Sequence, residues 1–168
     1  MTLAEAAAEA DALAEQGDER KLAELRSRFD EELEHAARSS DYRERAVAYR
    51  AIAQFRYRQK TELLRRGLED ESPACRGSAL LSLERLSREH PRVVNEVRPL
   101  LHEIVARDGN EAVRRLAVVS LRNGSSDRAT IQLLDGLAGD DEQPRELREA
   151  AGKIAQALRR KSAARERS

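Results

Sequence analysis

Residues 68–86 of this chain read LEDESPACRGSALLSLERL, and the pattern at the centre of this stretch recurs along the sequence. Arg76 is followed by Ala79 three residues later and by Leu83 four residues after that. The same pattern of an Arg, an Ala and an aliphatic or small residue returns at Arg45/Ala48/Ile52, Arg114/Ala117/Leu121 and Arg148/Ala151/Ala155. The matched alanines lie 31, 38 and 34 residues apart. A repeat of this length predicts a helical solenoid, in which each unit buries its apolar face only against its neighbours.

Each repeat is expected to contain two helices. In the first helix the matched positions step by four residues, so they share one helix face. The small residue in the middle column lets neighbouring helices approach closely. The second helices share a pair of leucines, at positions 63–64, 100–101 and 133–134. Alternating helices with matched phase are much more specific for a repeat than one amphipathic helix would be.

The repeats do not extend over the whole chain. Residues 1–40 are predicted to form a pair of capping helices separated by a turn at Gln16-Gly17-Asp18, and residues 41–158 are predicted to form the repeats. The last segment, residues 159–168, is basic and has no apolar stripe, which predicts a disordered tail. Caps and repeats are expected to form a single domain.

The composition of the 168 residues agrees with an all-α protein. Charged residues make up 37% and aromatic residues only 3%, and the formal net charge is zero, which disfavours general binding of polyanions. Cys75 is the only cysteine and occupies the column filled by Val113 and Leu147, so a buried core thiol is expected. Without an internal disulfide, a signal peptide or a membrane-spanning stretch, the expected location is the cytoplasm.

Residues 68–86 resemble the HEAT-repeat consensus of bacterial HEAT-like (PBS-lyase-type) proteins. The matching residues are Leu68, Asp70, Pro73, Arg76, Ala79, Leu83 and Leu86, with Cys75 in place of the usual Val. The stretches 108–121 and 140–158 match less fully, and the unit from residue 41 departs further because Glu44 stands in the aliphatic column and Tyr42 replaces Pro. The resemblance covers roughly residues 41–158 and concerns the fold more than the function.

The resemblance implies an all-α fold, a right-handed α-α superhelix of the HEAT-like solenoid type with about four helical-pair units and an N-terminal helical cap. It also implies that Arg45, Arg76, Arg114 and Arg148 bridge to an acidic residue or a carbonyl group of the adjacent unit and form a stabilising ladder. We therefore treat these arginines as part of the framework and not as a binding site.

No catalytic or metal-binding pattern emerges from the sequence. His35, His90 and His102 have no Cys or second His at ligand spacing. Glu32 and His35 form one Glu-x-x-His pair, which a di-iron site would need twice, so we interpret it as part of a solvated helix face. There is also no glycine-rich phosphate loop. We expect no enzyme activity, no cofactor and no metal.

Charge is distributed unevenly between the first two segments. Residues 1–40 hold 11 acidic against 5 basic side chains, whereas residues 41–66 hold 8 basic against 3 acidic ones. The segment 42–66, which we call the basic aromatic block, also carries four of the five aromatic residues. Such a block could hold phosphates and stack on bases, or it could be neutralised by the acidic N-terminal helices. The sequence leaves both alternatives open.

The first functional hypothesis is a non-enzymatic protein-interaction module, scaffold or accessory subunit that binds a protein or peptide on a concave face lined by the second helices. The second-helix residues on that face carry charges of both signs, which suits a protein partner better than a nucleic acid. The candidate partner-binding residues are Arg56, Arg58, Lys60, Glu62, Arg65, Arg66, Arg98, His102, Gln132 and Asp135. Among the first six, Arg56, Arg58 and Lys60 lie at an inter-helix turn and are expected to be the most accessible.

Two other hypotheses remain. A nucleic-acid-binding protein could use the basic aromatic block together with the basic tail, as HEAT-like DNA glycosylases suggest, although the chain has no Trp and no assignable catalytic acid. A bilin lyase-type subunit is a further possibility from the resemblance, but the predicted burial of Cys75 disfavours it. Salt-dependent DNA binding would distinguish the nucleic-acid hypothesis from the first.

Overall fold

A computed structural model describes all of residues 1–168 and contains nine α-helices, one 3₁₀ turn and no β-strand. The helices are α1 Leu3–Gln16, α2 Glu19–Ala36, α3 Tyr42–Gln54, α4 Thr61–Leu68, α5 Pro73–Ser87, α6 Arg92–Arg107, α7 Glu111–Ser120, α8 Arg128–Ala138 and α9 Arg145–Arg167. The 3₁₀ turn, Leu121–Asn123, directly follows α7. The chain divides into two compact units, residues 1–86 and residues 87–168. None of the helices combines the length and the hydropathy that crossing a bilayer requires.

Local capping signals set several helix ends. The side chains of Asp18, Asn110 and Asp127 each accept a hydrogen bond from the backbone N–H three residues later, at 3.0 to 3.1 Å. These bonds satisfy N–H groups that have no partner inside the helix. At the other end of α1, Gly17 adopts a left-handed conformation with φ of 74°, which glycine tolerates without strain. The predicted turn at residues 16–18 is therefore where α1 ends and α2 begins.

In residues 1–86, the N-terminal helices share a core with the turn that follows α3. Phe29 and Leu33 of α2 are buried, and the ring of Phe29 lies 6.4 Å from that of Phe55. The ring of Phe55 lies in turn 5.6 Å from that of Tyr57. Both α1 and α2 contact α3. The capping role of residues 1–40 stays a prediction, for which contact between these helices and α3 is a requirement.

The predicted columns form the centre of the same unit. Ala48, Ile52, Ala79 and Leu83 are all fully buried. Helix α5 reaches the backbone of α3 through the hydroxyl of Ser82, which donates to a carbonyl oxygen 2.5 Å away. Small residues in the middle column thus bring the helices close together, as the sequence predicts.

In residues 87–168, α6 packs against α7, and both α7 and α8 pack against α9. The columns 113/117/121 and 147/151/155 are buried. The paired leucines behave differently here, because Leu101 and Leu134 are buried whereas Leu100 and Leu133 are only half-buried. Adjacent residues point about 100° apart on a helix, so both reach the core only where the apolar stripe is wide. Both units consist of packed helices without strands, which confirms the predicted all-α, helical-solenoid class, while the right-handed superhelix and the count of about four helical pairs stay predictions.

The C-terminal segment differs from the predicted disordered tail, because α9 continues as a helix to Arg167. Polar contacts hold this extension where the apolar stripe ends. The ammonium of Lys161 donates to the carbonyl oxygens of Arg122 and Gly124, at 2.6 and 2.8 Å. Arg159 forms an ion pair with Asp135 of α8.

Candidate functional site

Arg45 connects the start of its own repeat with the start of the next. Its Nε and Nη2 atoms donate to the two carboxylate oxygens of Asp70, at 2.9 and 3.1 Å, and Nη1 donates to the carbonyl oxygen of Ser39 at 3.0 Å. The side chains of Arg45 and Asp70 are only 11% and 7% exposed. Burial alone raises the pKa of Asp70, but hydrogen bonds from Arg45 and from the backbone N–H of Ser72 outweigh it and hold the pKa below its usual range.

The other arginines of this column also bind framework groups. Arg76 donates to the carbonyl oxygen of Asp70, and Arg148 donates to that of Gln143, in each case in the loop that precedes its own helix. Arg114 donates to the carbonyl oxygen of Val105 at 2.8 Å and to the side-chain oxygen of Gln143 at 3.0 Å. Arg45 and Arg114 thus bind groups of an adjacent repeat, as the family resemblance implies, whereas Arg76 and Arg148 bind the loop before their own helix.

Cys75 belongs to the core. It is fully buried, and its Sγ atom lies 3.2 Å from the carbonyl oxygen of Tyr42. Burial raises the pKa of the thiol, which disfavours the reactive thiolate. The prediction of a buried thiol is confirmed.

Arg56 contacts the N-terminal helices. Its guanidinium lies 2.7 Å from the carboxylate of Asp11 and 3.2 Å from that of Glu15, and its side chain is 17% exposed. The backbone of Arg56 adopts φ of 58°, a left-handed conformation that costs a non-glycine residue about 1 kcal/mol. The same guanidinium donates to the carbonyl oxygen of Ala53, which adds to the C-terminal cap of α3. The two ion pairs give a reason for an arginine, rather than a glycine, at this turn.

Lys60 is bound to α2 in a similar way. Its ammonium lies 2.7 Å from the carboxylate of Asp30 and 2.6 Å from that of Glu34, and also 4.7 Å from the ring centre of Tyr57. Its side chain is 11% exposed. Although burial opposes the charge, hydrogen bonds to Asp30 and Glu34 raise the pKa of Lys60. The expectation that Arg56 and Lys60 are accessible is therefore wrong, because both face the acidic N-terminal helices.

The aromatic residues of the basic aromatic block are mostly buried. Tyr49, Phe55 and Tyr57 lie in the core, and only Tyr42 is well exposed. The hydroxyl of Tyr57 donates to the carbonyl oxygen of Arg26 at 2.6 Å, and burial raises the pKa of Tyr57. A surface for stacking on nucleic-acid bases, which the interleaved pattern suggested, is not formed by these rings.

The exposed candidate residues of the block lie on α4 and in the turn before it. Glu62, Arg65 and Arg66 lie on the outer face of α4, and Arg58 is exposed in the preceding turn. Arg65 lies 4.0 Å from Glu62, three residues earlier, and the two side chains are 47% and 90% exposed. These four candidate residues share one accessible surface of mixed charge, which we call the α4 surface.

In the second unit, Arg98 and His102 belong to an internal hydrogen-bond network around Thr130. Arg98 donates to the Thr130 hydroxyl at 3.1 Å, and Nε2 of His102 lies 2.8 Å from it. The same hydroxyl lies 3.0 Å from the carboxylate of Asp127 and donates to it, so Nε2 of His102 must carry the hydrogen. Burial and the charge of Arg98 lower the pKa of His102, against the opposing effect of Asp127.

The two candidates on α8 differ from each other. Gln132 is exposed, and Asp135 forms the ion pair with Arg159 of α9. Among the ten candidate residues, the exposed ones are therefore the four of the α4 surface, Gln132 and Asp135, of which Asp135 pairs with Arg159.

Sequence reasoning missed the individual partners of the basic residues. The carboxylates are those of Asp11, Glu15, Asp30 and Glu34, and Glu15 also pairs with Arg85. The excess of acid in residues 1–40 beside the excess of base in residues 41–66 was the signal that could have found them. No comparable signal marks Thr130, since a threonine in the first turn of a helix is ordinary.

Comparison with known proteins adds to this geometry. Residues 31–103 match the family model of HEAT repeats, a stretch that contains the Arg45–Asp70 pair and the columns at 48/52 and 79/83. No curated protein and no solved structure matches the chain significantly. With packed helices, buried columns and the Arg45–Asp70 pair at the matching positions, residues 31–103 carry the features of HEAT repeats.

Proposed function

We propose that this chain is a non-enzymatic protein-interaction module, a small scaffold or accessory subunit, that binds a protein or peptide partner. HEAT repeats are generally protein-interaction scaffold modules. The observation that carries the proposal is the α4 surface, where Arg58, Glu62, Arg65 and Arg66 face solvent while the opposite side of α4 is buried. Charges of both signs in one row suit a protein surface, since charge complementarity selects among protein partners. On α8, Gln132 and Asp135 are the exposed candidates of the second unit.

No observation favours the nucleic-acid alternative at the basic aromatic block. Arg56 and Lys60 already face carboxylates, and three of the four aromatic rings are buried. A phosphate backbone needs uniform positive potential, which Glu62 interrupts on α4. A cytoplasmic location is part of the proposal and is supported by Cys75, which has no second cysteine with which to form an internal disulfide.

A charge-swapped variant tests the α4 surface. Glu62→Arg combined with Arg65→Glu inverts the charge pattern but keeps the pair within the helix and the net charge of the chain. The matched control is Arg20→Glu with Glu24→Arg on α2, another exposed pair within one helix. We expect affinity purification from native cells to return a stoichiometric protein partner with wild type and control, and to lose it with the α4 swap.

Reconstitution from purified components then measures the loss. Because the swap converts attractive contacts into repulsive ones, we expect the partner to bind at least about tenfold more weakly, which is about 1.4 kcal/mol. A partner retained equally by both swapped variants would exclude the α4 surface. Binding of duplex or single-stranded DNA that weakens steeply with salt and is lost in Arg58→Ala would favour the nucleic-acid alternative instead.

A further inference from the structure

A groove runs between α7 and α9 in the second unit, and none of the ten candidate partner-binding residues lines it. Its volume is about 620 Å³. Four basic residues line it, above a floor that includes Val119 and Ile154; they are Arg115, Arg122, Lys153 and Arg160. We call this feature the α7–α9 groove.

Three of these four cations have no carboxylate partner. Arg115 lies 3.0 Å from Glu146, but Arg122, Lys153 and Arg160 form no ion pair and are exposed. The chain has equal numbers of acidic and basic residues overall, and most of its buried or half-buried cations are neutralised. Three of the four positive charges that line this groove are therefore not paired with a carboxylate.

The surroundings of the groove concentrate positive charge further. Residues 151–168 hold six basic side chains and one acidic side chain. Lys161 lies beside Arg122, to whose carbonyl oxygen it donates at 2.6 Å. Burial lowers the pKa of Lys161, and the charges of Arg122 and Arg98 lower it further. A ligand that brings negative charge would relieve this repulsion.

The apolar side chains at the floor of the groove favour a ligand that has apolar groups as well as charged ones. Val119 is half-buried, Ile154 is buried, and small side chains on α9 leave space above them. Lys153 and Arg160 are seven residues apart, which places them about 10 Å from each other along one face of α9. A ligand that fits must carry anionic groups at that separation together with apolar side chains between them.

Two carboxylates in the groove favour a peptide over a nucleic acid as its ligand. Glu146 and Glu149 also line the groove, and a nucleic-acid backbone, with a charge on every nucleotide, would be repelled where it passes them. A peptide can instead place neutral groups there and its own carboxylates over the unpaired cations. We propose that the α7–α9 groove binds an acidic segment of a protein partner that also carries apolar side chains. This inference does not depend on the α4 surface.

The test uses a fluorescein-labelled synthetic peptide in which glutamates and leucines recur at helical spacing, and the same peptide with glutamine in place of glutamate. Fluorescence anisotropy measures the binding of both to the full chain. The groove variant carries Arg122→Gln, Lys153→Gln and Arg160→Gln. The matched control carries Arg128→Gln, Arg165→Gln and Arg167→Gln, which removes the same charge from exposed positions outside the groove.

We expect saturable binding of the acidic peptide to wild type and to the control variant. Because three ion pairs at exposed sites are lost, the groove variant is expected to bind roughly tenfold more weakly. The glutamine peptide should bind wild type weakly as well. Swapping Glu62 and Arg65 on α4 should leave the peptide affinity unchanged, which separates this inference from the proposed function.

Backbone amide NMR on the wild-type chain gives a readout that needs no variant to fold. Addition of the acidic peptide should shift resonances of α7 and α9. Absence of saturable binding, equal loss in the groove and control variants, or shifts confined to other helices would each overturn the proposal. So would single-stranded DNA that binds the groove more tightly than the peptide and displaces it, since the groove would then recognise phosphate.

Discussion

Replacing Gly67 with alanine tests the close approach on which the repeat packing depends. Gly67 lies inside α4, and a Cβ atom at this position would be 2.7 Å from the Cβ of Ala79 on α5 and 3.0 Å from ring atoms of Tyr49 on α3. Carbon atoms in contact are normally about 3.5–4.0 Å apart. Neither neighbour can move aside by rotating, because Ala79 has no side-chain rotamer and the ring of Tyr49 is fully buried. The helices themselves would have to separate.

The size of the effect follows from two opposing terms. Overpacking in a core costs about 1–3 kcal/mol, and two rigid neighbours place this site at the upper end. Alanine is favoured over glycine within a helix by about 1 kcal/mol. We therefore expect Gly67→Ala to lower the free energy of unfolding by about 2 kcal/mol. Gly136→Ala in α8 is the control, since nothing lies within 4 Å of its added Cβ, and it should raise stability by up to about 1 kcal/mol.

Urea denaturation followed by far-UV circular dichroism measures both variants against wild type. The two midpoints should move in opposite directions at similar slope of the transition. A Gly67→Ala midpoint equal to or above that of wild type would refute the reasoning, because the helices would then have room for the added methyl group. A Gly136→Ala midpoint that fell as far as that of Gly67→Ala would show that the loss is not due to contacts between helices.

Other predictions concern single polar residues. Asp70→Asn should lower the free energy of unfolding at pH 7 by about 2–3 kcal/mol, as measured by urea denaturation. Because the folded-state pKa of Asp70 is lowered, this difference from wild type should vanish as the pH falls through that pKa. Because the folded-state pKa of His102 is lowered, its contribution to the free energy of unfolding is fully present above the unfolded-state pKa of about 6.5 and is lost as the pH falls towards the folded-state pKa. An NMR titration of His102 should find a midpoint below 6.5. Arg56→Gly should be less destabilising than Arg56→Ala by about 1 kcal/mol, since glycine relieves the left-handed backbone while both variants lose the ion pairs; equal losses would contradict this.

The repeat framework could be predicted from the sequence because its rules are local or periodic. A cap such as Asn110 acts on an N–H group three residues away, and a column such as 75/79/83 repeats at helical spacing. The arginine ladder followed from the family resemblance, and Arg45 indeed binds Asp70 at the start of the next repeat. These features depend on nearby positions in the sequence and little on which helices pack against each other.

The state of the basic aromatic block could not be predicted in the same way. Arg56, Arg58 and Lys60 look alike in the sequence, yet two of them meet carboxylates from helices 26 to 45 residues earlier and Arg58 does not. Which charge is neutralised depends on the position of α1 and α2, a tertiary property. The segment charges of residues 1–40 and 41–66 indicated that neutralisation was possible, but not for which side chains.

The C-terminal helix shows a similar limit. An apolar stripe predicts where a helix packs, and this stripe ends at Leu158. Beyond it, Arg159 and Lys161 hold the helix through a carboxylate and two carbonyl oxygens. Polar anchors of this kind have no sequence period, so hydrophobic patterning does not reveal them.

Selectivity in this protein should lie with exposed charged side chains outside the arginine ladder. The arginine ladder repeats along the chain, but each of its members is occupied by a carboxylate or a carbonyl group, and a partner would have to break those bonds to reach it. The α4 surface and the α7–α9 groove instead present side chains whose charges add little to stability while they face water. A partner that pairs with them gains attraction without disrupting a helix contact. Binding at these two surfaces should therefore be separable from folding, so that a variant of either one loses its partner and keeps its unfolding midpoint.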